Sequence, residues 1–225
     1  MGIFGRIKDI VSAEVNYAVK QTVDTINNPE KIFGNKGVQK EFDASESNSG
    51  GFQTDYIKGT KRVEKFTFFA LPMNVSELKD LPEASLDTPF KAAALTMATL
   101  CNFERDEGAT YEMLDFLKGP IPLNPAEKAS IKDKLKGKSY KAFSFFEGAV
   151  LDNNYRPYTP FTIGIVENEN SFKEENRAVL YVASSGAAGL RPLKLRKKPS
   201  TGQWFLTDIE CLGDIREPKQ DDPWA

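Results

Sequence analysis

The chain predicts an α+β fold, with helices packed on one face of a curved antiparallel sheet, behind an N-terminal amphipathic helix. Three observations carry this expectation. Helical segments with their own caps and stops crowd between residues 88 and 137. Short strand-like runs separated by Asn, Gly, Ser and Pro follow from Phe161. Ahead of both, residues 3–26 repeat apolar side chains at steps of three and four.

The first helix presents Ile3, Phe4, Ile7, Ile10, Val11, Val15, Ala18, Val19, Val23 and Ile26 as one stripe. Asn27-Asn28-Pro29 stops it, because proline cannot continue the backbone ladder. Residues 1–33 form this unit. Residues 34–60, centred on Ser45-Glu46-Ser47-Asn48-Ser49-Gly50-Gly51, hold too few apolar side chains to offset their ordering entropy and read as a flexible linker. The globular domain is expected over residues 61–218, with a short tail at 219–225.

Within that domain, Val63–Leu71 reads as a strand from its aromatic density. Thr88 and Pro89 supply the N-cap and first helical position of a helix running to Phe103. It is apolar nearly all round and belongs at the centre of the core. A second helix runs from Thr110 to Leu117 and closes at Gly119-Pro120. Asn124, Pro125 and Glu127 set a capping box for a third, which points Ile131 and Leu135 inward and ends at Gly137. Strands are expected over Phe161–Val166, Ala178–Ser184, Leu190–Lys197 and Gln203–Glu210, joined as an antiparallel meander.

Composition narrows function. With 40% hydrophobic and 11% aromatic residues the chain is globular, and a net charge of −2 argues against general nucleic-acid binding. The chain has no histidine, which excludes Ser-His-Asp and Cys-His catalysis and His-ligated zinc. Cys101 and Cys211 have no companions at metal-ligand spacing and read as buried free thiols. No catalytic residues, metal or cofactor are expected. No run reaches the roughly 18 apolar residues of a membrane span, and no secretory or myristoylation signal is legible. The expected location is cytoplasmic, peripheral on the inner membrane face.

Three groups of residues are candidates for binding. Ile3, Phe4, Ile7, Ile10 and Val11 would enter the lipid boundary of an anionic membrane, with Arg6 and Lys8 near the headgroups. The competing use of the same stripe is docking on protein, which would make a homo-oligomer through the first helix. Lys194, Arg196 and Lys198 alternate outward from Leu193 and Leu195 and could read anions, against the plainer role of lysines that discourage edge-to-edge strand pairing. Phe66, Phe68, Phe69, Tyr140, Phe143, Phe145, Phe146 and Trp204 could line a pocket, although core packing is the commoner fate of such rings. Asp208 and Glu210 share one side of a strand, where exposure to solvent is the default.

Two resemblances add to this reading. Met1-Gly2-Ile3-Phe4, Arg6, Asp9-Ile10-Val11, Asn16, Asp24 and Asn28-Pro29-Glu30-Lys31 resemble the start of phage-shock protein A and its membrane-remodelling relatives. That resemblance, over residues 1–31, implies an amphipathic helix that binds stressed or anionic membrane. The coiled-coil hairpin that should follow is missing, so polymer assembly and transcription-factor inhibition are not implied. Leu71 through Leu78, Ser85 through Ala94, Phe143 through Gly148 and Gly202-Gln203-Trp204-Phe205-Leu206 resemble a bacterial domain family of unknown function, over most of residues 61–218. The order of elements is also similar to the nuclear transport factor 2-like cone. The resulting expectation is a non-enzymatic, membrane-peripheral adaptor linked to envelope stress, its head reaching about 30 Å on the linker. The alternative is a ligand-binding or enzymatic domain with its pocket in the sheet's concavity.

Overall fold

The computed structural model describes residues 59–221. The amphipathic stretch with Ile3, Phe4, Ile7, Ile10 and Val11, nearly all of the linker, and residues 222–225 lie outside the described residues. The described part is α+β. Strand β1 (Thr60–Phe68) comes first, then helices α1 (Val75–Asp80), α2 (Pro89–Leu100), α3 (Glu107–Lys118), α4 (Pro125–Leu135) and α5 (Tyr140–Phe143). Strands β2 (Phe161–Asn168), β3 (Arg177–Val182), β4 (Arg191–Lys197) and β5 (Trp204–Ile209) follow.

The five strands form one antiparallel sheet in the order β1-β2-β3-β4-β5, the expected meander closed on one side by β1. Strand alternation sends one set of side chains to a single face. Phe66 lies opposite Ile163, Ile165 opposite Val182, Leu180 opposite Leu193, and Leu195 opposite both Ala178 and Leu206. All of these are buried.

Helix α2 packs on that face. It begins where expected, with the Thr88 hydroxyl accepting from the Lys91 amide and Pro89 in the first turn. Twelve residues make a rod of about 18 Å, close to the ~19 Å spanned by five strands. The helix accordingly touches every strand, and all but one of its residues are buried. Ala92, Ala93, Ala94 and Ala98 are all fully buried, so small side chains pack on more than one side of the helix. The concave side that the sequence offered to a ligand is therefore occupied by α2.

Helix α3 and the short turn at Pro82–Ser85 pack against α2, and α1 packs against α3. Helix α3 starts three residues earlier than expected because Asp106, not a residue near Thr110, is its cap and accepts from Ala109. Its end at Gly119 is as expected; the positive φ of 64° there suits glycine, and a Cβ would strike the Phe205 ring. Helix α4 carries the complete Asn124–Glu127 capping box and buries Ile131 and Leu135.

Three expectations are corrected. Strand β1 ends at Phe68, and Phe69 is 89% exposed beyond it. Helix α1, capped by Asn74, and the short α5 were not anticipated. Strand β4 sits between β3 and β5, so its lysines do not guard a sheet edge. The free side of β5 is instead met by the Leu86 carbonyl, which accepts from the Trp204 amide, and by Lys118, whose Nζ donates to the Thr207 carbonyl at 3.2 Å.

Candidate functional site

An open depression of about 440 Å³ lies where three separate segments meet: the turn and α5 after α4, the loop before β2, and the last described residues. Each wall has a local cause. Helix α4 ends at Leu135, and Gly137, with φ 68°, turns the chain while its amide donates to Glu104 Oε2 at 2.9 Å. Ser139 then leads into α5. That helix is pinned below by the buried Ser144 hydroxyl, 2.7 Å from the hydroxyl of Ser184.

The second wall is strained. Asn154 and Tyr155 both adopt φ of 56°, which is uncommon for residues with a Cβ and costs about 1 kcal/mol or more for a bulky one. Surrounding bonds over-determine the conformation. The Tyr155 amide donates to the Val150 carbonyl at 2.9 Å, and its hydroxyl donates to the Arg216 carbonyl, also at 2.9 Å. Its ring stacks on Tyr140 with centroids 5.7 Å apart and planes 23° apart. Asn154 Nδ2 donates to Gln220 Oε1 at 2.9 Å, tying this loop to the third wall. Lys219 pairs with Asp152 across the same junction.

The floor is aromatic and the rim polar: Tyr140, Phe143, Tyr155, Pro157 and Pro218 below, Ser139, Arg156 and Asp221 around. Burial pushes the Tyr140 hydroxyl up to about 12, with the Glu217 and Asp221 carboxylates and Tyr155 adding to the shift. It therefore stays protonated at neutral pH. The depression can hold a ring or an apolar chain and meet a charged group at its mouth. No nucleophile paired with a base lines it.

The residues singled out from sequence are dispersed. Lys194 projects outward as expected, but its ammonium stands 2.6 Å from Glu210 and 3.6 Å from Asp208. That bond lowers the Glu210 pKa and raises that of Lys194. The two carboxylates are thus a counter-charge for Lys194 and not an acid–base pair. Arg196 is exposed opposite Arg177, and Lys198 is exposed at the turn before β5. Among the aromatic group, Phe66, Phe68, Phe145 and Phe146 are core, Trp204 packs edge-on against Phe172, and only Tyr140 and Phe143 reach the depression. Cys101 and Cys211 are free and buried. Among the described residues no group of acidic residues and cysteines could hold a metal ion, and no helix is long and apolar enough to cross a membrane.

Sequence reasoning missed Asn154, Tyr155 and Arg156 as site residues. The Asp152-Asn153-Asn154-Tyr155 run was a legible turn signal, but nothing local says that a tyrosine there folds back on residue 140.

Comparison with known families gives one match. The family described as "Domain of unknown function (DUF6935)" matches residues 70–219, two thirds of the chain. No curated protein and no solved structure matches the chain. The match covers the domain anticipated from the Leu71–Leu78 and Phe143–Gly148 motifs, and does not reach residues 1–31 with their phage-shock resemblance.

Proposed function

The chain belongs to the DUF6935 family, a membership that carries no assigned activity, and we propose that it works by binding and not by turnover, as a peripheral adaptor at an anionic membrane surface. The observation that carries this reading is the spacing of Ile3, Phe4, Ile7, Ile10 and Val11, a stripe that must escape water, with Arg6 and Lys8 beside it. Beside it, Lys118 with Glu127, Lys132 with Glu107 and Lys194 with Glu210 are ion pairs that neutralise each other in the folded domain. The link to envelope stress rests on the phage-shock resemblance. Anchored this way, the folded domain would act on the inner face of the membrane.

Co-sedimentation of the full chain with anionic vesicles tests the reading. Burying one phenylalanine is worth roughly 1.5–3 kcal/mol, so Phe4→Glu should weaken binding by at least tenfold with no change in thermal stability. Undiminished binding refutes membrane insertion. Loss of thermal stability instead would indicate that the stripe packs on protein.

A second reading is favoured by the depression itself, whose aromatic floor suits a small ligand. It places the ligand at the rim beside α5, not inside the sheet.

A further inference from the structure

The depression carries one charge of each sign that the fold leaves unanswered. Arg156 lines it from the loop before β2, and Asp221 lines it from the short turn Lys219–Asp221. Among the described residues neither side chain forms an ion pair, with the other or with any third group. Their backbones are nonetheless held in place. The Arg156 amide donates to Asn153 Oδ1 and its carbonyl accepts from Asn153 Nδ2, each at 3.0 Å. The Asp221 amide donates to the Pro218 carbonyl, also at 3.0 Å.

The two walls are locked to each other by the Asn154–Gln220 bond and by the pairing of Lys219 with Asp152. The first of these uses one end of each amide. Asn154 Oδ1 is left as an acceptor and Gln220 Nε2 as a donor, with no partner among the described residues, and both residues line the depression. Each wall therefore offers a charge together with a dipole of the opposite sense. Walls fixed before a ligand arrives spare it the entropy of ordering them.

This pattern selects the ligand's charge. An anion alone would be drawn to Arg156 and repelled by Asp221, and a cation alone the reverse. A zwitterion answers both. Outside the lining, Lys134, Lys138, Lys141 and Arg216 stand against Glu104, Asp133 and Glu217, so the surroundings are close to balanced.

Size and floor select its body. At about 440 Å³ the depression lies in the lower part of the roughly 300–1,000 Å³ range of ligand sites. Its floor is built from the rings of Tyr140, Phe143 and Tyr155, which suits a single aromatic ring. The Tyr140 pKa rises first through burial and then through the Glu217 and Asp221 carboxylates. That is the negative end of the floor and suits an ammonium, while the Arg156 guanidinium suits a carboxylate.

We infer that the depression binds a free aromatic α-amino acid, its carboxylate on Arg156, its ammonium on Asp221 and its ring on the aromatic floor. This rests on the small-ligand reading above and names the class of ligand.

The experiment is isothermal titration calorimetry of the full chain with L-phenylalanine and L-tryptophan. Each is compared with the amine and the acid that keep its ring and only one charge: phenethylamine and 3-phenylpropionate, tryptamine and indole-3-propionate. At least one amino acid should bind about tenfold tighter than both of its analogues, the low end for a charge-assisted hydrogen bond. Arg156→Gln should weaken that amino acid about tenfold without weakening its amine. Asp221→Asn should do the same without weakening its acid. Both side chains are exposed, so neither substitution should change the thermal stability. The inference is overturned if a one-charge analogue binds as tightly as its amino acid, if either substitution leaves the amino acid unaffected, or if it weakens the matching analogue equally; the small-ligand reading then stands. No binding by any of the six compounds at millimolar concentration overturns both, since every one carries a ring for the floor.

Discussion

Replacing Glu127 by Ala should destabilise the domain more than any other single loss of a charged side chain described here. Glu127 uses both oxygens. Oε1 accepts from Lys118 Nζ at 2.7 Å, and Oε2 accepts from the Asn124 amide at 2.8 Å as half of the capping box. Its partner is the more deeply placed of the two, since the Lys118 side chain is 5% exposed and that of Glu127 33%. Without Glu127, the Lys118 ammonium keeps only the Thr207 carbonyl. Stranding a buried charge costs about 3–5 kcal/mol; the partial exposure of the pair puts the expectation at the lower end, about 3 kcal/mol with the cap included. For a domain of this size that is roughly a 6–12 °C fall in Tm. The reverse deletion, Lys118→Met, strands a carboxylate that water can reach and should cost only about 1 kcal/mol. Urea denaturation of both single variants and the double variant measures the asymmetry. Equal costs, or a costlier Lys118→Met, would refute the reasoning that burial of the cation sets the energy. The pH dependence follows with a definite sign. Burial of Glu127 opposes ionisation, but the Lys118 and Asn124 bonds outweigh it, and its pKa lies below the usual glutamate value. The contribution is therefore present above the unfolded pKa of about 4.3 and disappears as pH falls through the folded value. Glu127→Ala should remove that part of the acid sensitivity.

Two further outcomes are expected. Gly119→Ala should cost at least about 2 kcal/mol in urea denaturation, because a Cβ would enter the Phe205 ring at a backbone φ of 64°; a neutral substitution would mean the α3 terminus can shift away from β5. Native protein at pH 8 should resist thiol reagents at both cysteines, since burial pushes the Cys211 thiol up to about 12 and raises Cys101 as well; labelling at a rate comparable to the urea-unfolded chain would show that the α2 core opens readily.

Much of the fold was legible because its signals are local. Thr88-Pro89, Asn124 with Glu127, and Gly119 each satisfy or terminate a helix through atoms a few residues away, and each does so in the structure. Leu193 and Leu195 face inward because strand geometry alternates side chains regardless of what covers them. Helix α1 was missed although Asn74 and Glu77 stand at capping distance, because six residues carry too little apolar periodicity to register beside a proline.

The site was less legible. The lysine density of residues 128–141 is plain in the chain, yet the pairing of Lys132 with Glu107 is made by a contact across 25 positions. The same holds for Lys194, whose neutralisation by Glu210 depends on β4 and β5 being neighbours.

Caps, periodicities and turn residues act through neighbours a few positions away, so the amino-acid order alone settled the type of the longer elements, the buried identity of α2 and the meander. Pairing of charges, the stacking of Tyr140 on Tyr155 and the opening among three distant segments were decided in three dimensions. Those features are set by which chain segments happen to lie a few ångströms apart, a distance that no local pattern encodes.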